Sequence, residues 1–198
     1  MLHLRITILA LVFAALGCAS LPDNPQLQLI SVGEYQSIIN KNTEGAKSYD
    51  GFMNTMDFKA TLLSSAVVRA QADQNARVYQ WDPAQYAKEK ETSEANLQKE
   101  SQMFLSFFIP ERKYDDLAKP TTRWKIFLDA NGRRFEGKAA RIKAQLAELM
   151  VLYPHHTRWQ TAYKVTFPIP MSLIEKSEKK LTLTGPVGSS SIVFKSVE

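Results

Sequence analysis

Arg123-Trp124-Lys125-Ile126-Phe127-Leu128-Asp129-Ala130-Asn131-Gly132-Arg133 is the stretch on which the fold turns. Trp124, Ile126 and Leu128 alternate with Arg123, Lys125 and Asp129, and only Phe127 falls on the charged side. Side chains along a strand point alternately to opposite faces, so this period of two predicts a half-buried strand. Asn131-Gly132 follows at once. Both residues tolerate the positive φ that a two-residue hairpin turn demands. A return strand is expected from near Arg133.

Downstream the same period recurs. Trp159, Tyr163, Val165 and Phe167 lie on one side, against Arg158, Gln160, Lys164 and Thr166, and Pro168 and Pro170 end the run. Leu181 and Leu183 alternate with Lys180, Thr182 and Thr184. Gly185-Pro186-Val187-Gly188 turns the chain, and Ser191 to Lys195 returns. Residues 138–152 allow two readings. Ile142, Leu146, Leu149 and Met150 suit a short helix, and an extended edge strand fits as well.

Upstream, Met103 to Ile109 is nearly all apolar and stops at Pro110, as expected of a strand covered on both faces. Before it, residues 64–102 hold few turn signals and many Ala, Gln, Glu and Lys, all good helix formers. Asp82-Pro83-Ala84-Gln85 splits them with a helix-start signature, an N-cap Asp followed by Pro at the first helical position. Two helices are predicted, about 64–80 and 83–101. The second carries Lys88-Glu89-Lys90-Glu91 and only a thin apolar stripe of Tyr86, Ala87 and Leu97, so it belongs at the surface. Residues 52–62 return to period two, with Phe52, Met56, Phe58, Ala60 and Leu62 on one parity and Asn54 the exception there.

Short alternating strands with hairpin turns imply a mainly β, α+β fold: an antiparallel β-sandwich with a helical insertion at about 64–101, packed on an end or edge. The chain has 198 residues, 44% of them hydrophobic and 23% charged. That supports one domain, 32–198, which buries roughly 70% of its unfolded surface and needs no metal or disulfide to be stable. Trp124, Tyr153-Pro154, Trp159 and Leu181-Thr-Leu-Thr-Gly-Pro186 resemble uncharacterised exported lipoproteins of proteobacteria. The shared features are core aromatics and turns, and the resemblance implies no activity.

The first residues set the expected location. A short basic start with Arg5 precedes an uncharged run from Ile6 to Leu16. That is the shape of a secretory signal and too short for a spanning helix, which needs about 20 apolar residues. Ala15-Leu16-Gly17-Cys18 resembles the lipobox of bacterial lipoproteins, with a small residue before the cysteine. The resemblance implies cleavage after residue 17, a diacylglyceryl thioether on Cys18 and an acylated amine. Two or more acyl chains hold a protein firmly on a membrane, where one holds marginally. Ala19 stands where Asp would imply retention at an inner membrane, so the resemblance points to the periplasmic face of the outer membrane. Cys18 is the single cysteine, which excludes an internal disulfide. Residues 18–31, with Pro22, Asp23, Asn24 and Pro25, read as the lipidated cysteine and a tether.

Few residues offer chemistry. His155-His156 are the only histidines after His3, and neighbours on a strand face opposite ways, so a loop beside Pro154 is the simpler account than a metal site. Gly185 to Ser191 lacks the Gly-Lys-Ser/Thr ending of a phosphate loop, and no cofactor is expected. There is no Gly-x-Ser-x-Gly elbow. Glu111, Asp115 and Asp116 could flank a glycosidic bond, but nothing fixes their separation. The net charge is +5, or +4 once residues 1–17 are removed with Arg5. Arg133, Arg134, Lys138 and Arg141 cluster near the Asn131-Gly132 turn as an anion-binding patch, unless they are simply a solvated hairpin. For an exported protein the accessible partners are the membrane through its anchor, an envelope protein, or an anionic glycan or lipid, and not nucleic acid. The sequence favours a non-catalytic binding or assembly module. An envelope hydrolase acting on glycan or lipid is the alternative, recognisable by a deep pocket with convergent polar groups.

Overall fold

A computed structural model describes residues 26–195; the expected leader, residues 1–17, and Cys18 lie outside the described residues. Among the described residues nine strands form two antiparallel sheets. Strands β1 (Thr43–Asp50), β2 (Met53–Leu62), β3 (Ser101–Phe108), β7 (Thr161–Phe167) and β6 (Lys138–Arg141) lie in that order in the larger. The smaller runs β5 (Arg133–Glu136), β4 (Lys125–Ala130), β8 (Lys179–Gly185), β9 (Gly188–Phe194). The expected sandwich with helices is the observed one. The Asn131-Gly132 turn carries φ of 51° and 69°, and Ala130 pairs with Arg133 across it.

Between the sheets lies the main core. Met56, Phe58, Met103, Leu105, Phe107, Val165 and Phe167 meet Ile126, Leu128, Leu181, Leu183 and Phe194. One edge closes where β1 lies against β9. At the other the chain itself crosses at Gly137, whose N–H donates to the Ile126 carbonyl at 2.8 Å. A Cβ at Gly137 would stand 2.5 Å from a Phe167 ring carbon, so only glycine makes this crossing.

A helical layer covers the outer face of the larger sheet: α1 (Val32–Lys41), α2 (Ser65–Tyr79) and α4 (Leu146–Leu152), with Tyr35, Ile39, Val67, Ala70 and Leu149 packed around Phe104 of β3. The insertion therefore covers a face, not an end or edge, because Phe104 and Ala162 give the outward side of β3 and β7 an apolar surface of its own. Helix α3 (Pro83–Leu97) buries only Leu97 and begins as expected, with Asp82 Oδ1 accepting from Gln85 N at 2.8 Å. It ends earlier than residue 101, since Ser101 belongs to β3 and donates its buried hydroxyl to the Ile169 carbonyl at 2.6 Å. A further α-helix, α5 (Met171–Ile174), is a single turn, as is the 3-10 helix Arg112–Tyr114.

Three further details depart from expectation, and one open reading is resolved. Helix α1 and strand β1 were not foreseen. Phe52 is fully exposed at the tip of the β1–β2 hairpin, one residue before β2 begins. Residues 138–152 contain both readings in succession, edge strand β6 and then α4. Trp159 precedes β7 in a turn and is 64% exposed, whereas Tyr163, Val165 and Phe167 are buried as foreseen.

Candidate ligand cleft

Phe104 organises the region. The Tyr153 ring stacks on it at 3.5 Å and 4°, while Gln71 Nε2 donates to the Tyr153 hydroxyl at 2.7 Å. His155 and His156 both set an edge against Phe104, at 5.8 and 5.7 Å between ring centres. The loop after α4 thus hangs two imidazoles over one aromatic.

Their surroundings differ. His156 is 3% exposed and its Nδ1 lies 2.7 Å from Ser106 Oγ on β3. His155 has both ring nitrogens shielded from solvent and bonded to nothing among the described residues. A neutral imidazole always carries one N–H, so a donor is left unmatched there. Burial, then Lys59 and His156, holds the His155 pKa down at about 4. Burial lowers that of His156 as well.

His155 forms one wall of a cleft of about 450 Å³. Lys47 and Asp57, 3.6 Å apart on β1 and β2, line it with Lys59 and with Phe108 of β3. Thr157, Trp159 and Gln160 complete the rim. The loop is closed by Thr157 N and Oγ1, both donating to Gln160 Oε1 at 3.1 Å. Arg112 Nη2 holds the Trp159 carbonyl at 3.1 Å, and the Arg158 guanidinium lies over its indole at 5.7 Å. The indole itself projects into solvent.

A hydroxyl beside an imidazole is the first requirement of a serine hydrolase. Here Ser106 is fully buried under the helical layer, and no carboxylate among the described residues is bonded to His156. The pair acts as a bond across the layer boundary. The three acids singled out in the sequence are also engaged. Asp115 accepts from Thr161 Oγ1 at 2.5 Å and from the Tyr163 hydroxyl at 2.8 Å, tying the loop after β3 to β7. Burial and this carboxylate raise the Tyr163 pKa. Asp116 accepts from Thr122 at 3.1 Å, and Glu111 pairs with Lys113 at 2.7 Å.

The four basic residues near the hairpin divide between the sheets. Arg133 and Arg134 belong to β5, and Lys138 and Arg141 to β6. Arg134 makes a bidentate pair with Asp129 at 2.7 and 2.9 Å and lies over Phe127. Among the described residues no group of three or more His, Cys, Asp or Glu is placed to hold a metal. What sequence reading missed is the exposure of Trp159. The polar neighbours Thr157, Arg158 and Gln160 were its local signal.

No family model matches the chain, and no curated protein does. Among solved structures it is similar to a crystal structure of a novel protein of unknown function from Burkholderia pseudomallei. The two are 9% identical, the match covers 85% of this chain and 92% of that one, and the TM-score is 0.42. No property is carried over from that protein.

Proposed function

We propose that this protein is a lipid-anchored envelope protein that acts as a non-catalytic binding module, with the cleft beside Trp159 as its ligand site and a glycan segment as the ligand. The carrying observation is the pairing of an exposed indole with an imidazole that the protein leaves unbonded. Unsatisfied buried polar groups are few in folded proteins and each calls for a reason. A pyranose ring has an apolar C–H face and a rim of hydroxyls. The Trp159 indole offers a surface for the first, and Asp57, Lys59, Gln160 and His155 offer partners for the second. Both His155 nitrogens are shielded from solvent, so a ligand reaches them only by displacing the side chains that cover them. The cleft's size lies within the usual range of small-ligand sites, roughly 300–1,000 Å³. The sequence reading of Cys18 supplies the anchor, which raises the module's effective concentration near envelope partners.

The test is titration of the purified protein with envelope oligosaccharides by calorimetry. Wild type should bind, and Trp159→Ala should bind roughly tenfold more weakly, about 1.4 kcal/mol. Equal affinity of the two proteins would remove the cleft from the account. Envelope hydrolysis is the second reading, favoured by the Ser106–His156 pair alone. Product release by wild type that Ser106→Ala abolishes would establish it.

A further inference from the structure

Helix α4 is amphipathic in the wrong sense for a helix facing water. Leu149 is its one buried residue, while Leu146, Ala147, Met150 and Val151 are all exposed, the three larger ones by 40%, 46% and 37%. Those positions, i, i+1, i+4 and i+5, make one face. A surface helix normally shows charged or polar residues there. We propose that this face lies on a lipid bilayer, so that the protein is oriented on the membrane as well as tethered to it. The proposal rests on the lipid-anchor reading.

Two observations select a bilayer as the occupant. The first is where the N-terminal chain enters the domain. Ile30 is fixed to α2, its N–H donating to Asp73 Oδ2 at 3.0 Å and its carbonyl accepting from Arg77. One helical turn later the Tyr35 hydroxyl donates to the Leu152 carbonyl at 2.6 Å, in the last turn of α4. The tether thus enters the domain close to the C-terminal end of α4. Its twelve residue-to-residue steps from Cys18 to Ile30 reach about 40 Å at most. The second observation is charge. Arg141 and Arg158 share a shallow depression of about 230 Å³ with Leu146, and Lys143 is exposed two residues beyond Arg141. None of the three pairs with a carboxylate among the described residues. An apolar face rimmed by cations matches the acyl boundary and the headgroup phosphates of a bilayer, into which such faces sink by roughly 5–10 Å.

The experiment uses full-length lipidated protein in vesicles of phosphatidylethanolamine with a minority of phosphatidylglycerol. A polarity-sensitive fluorophore is placed on Ala147→Cys, or on Ser189→Cys in exposed β9 as the control. Lipidated Cys18 takes no label. The label at 147 should shift to the blue and be quenched by brominated lipid, and the label at 189 should keep its value in water. Adding Leu146→Gln and Met150→Gln should return the 147 label to water while the protein still floats with the vesicles. Floating protein whose two labels behave alike overturns the orientation and leaves the anchor standing. Protein that does not float fails the anchor first and the orientation with it. Shielding at 147 without vesicles, growing with protein concentration, would identify a second copy as the occupant and overturn the bilayer.

Discussion

His155 and His156 are neighbours that touch the same phenyl ring, and the regions they belong to are opposites. Around His156 the layer is closed: the imidazole meets Ser106, its edge rests on the Phe104 ring that Tyr153 stacks on, and the helices shut out water. Around His155 the layer stops: the helices give way to a loop, an indole stands in solvent, and the ring has no bond. The difference teaches where a fold spends its polar groups. A matched buried group contributes about 0.5–1.5 kcal/mol, and an unmatched one costs about 1–3 kcal/mol. The His156 half therefore reads as structure, and the His155 half is the side on which the proposed ligand site stands.

The comparison can be broken outright at Phe104, which both halves share. Phe104→Ala should lose about 3–5 kcal/mol of stability, read as a lower denaturant midpoint, because the cavity opens under both rings at once. A loss below 1 kcal/mol would mean that the two halves do not depend on this ring. Next comes the bond itself. Ser106→Ala strands the His156 nitrogen and should cost about 1–3 kcal/mol, whereas His155→Phe, with no bond to lose, should be neutral or stabilising. Equal destabilisation by both substitutions would erase the distinction.

Acid sharpens it further. Both imidazoles are held below the ordinary value of 6.5, that of His155 at about 4. The unfolded chain therefore binds more protons between about 6.5 and 4, so stability is full above that window and falls as pH drops through it. His155→Phe should flatten part of the slope in denaturation curves taken across the window. An unchanged slope would show that His155 is not held neutral. The smallest stability effect belongs to Trp159→Ala, within about 0.5 kcal/mol, since the indole is mostly in water. A larger loss would make it part of the core.

How much of this was legible follows from range. The β4–β5 hairpin could be read because its whole logic sits in eleven consecutive residues, and α3 because Asp82 and Pro83 are adjacent to what they cap. Strand β1 could not, because Thr43 to Asp50 is a polar edge strand with exposure on both faces and no clear period. Helix α1 carried its own signal, Ser31 and Glu34 at cap spacing before Tyr35, Ile38 and Ile39, but Gly33 in the first turn weakened it. The outward side of β3 was hidden because Met103 to Ile109 is apolar on both parities, so Phe104 carried no mark of which layer it joins. The cleft was least legible. Its walls come from β1, β2, β3 and the loop at 155–160, and only the register of Lys47 on Asp57 and Asp57 on Phe108 brings them together. Trp159 looked like a core residue because it shares parity with Tyr163, and the strand begins only at Thr161.

The clamp at Ile30 has a mechanical consequence. Tension arriving at Ile30 along the N-terminal chain is taken up by Asp73 and Arg77. Both side chains stand on α2, so the load passes into a helix lying across the larger sheet and not into the end of a strand. Two hydrogen bonds must shear before α1 is peeled away, and no residue of α1 lines the cleft beside Trp159.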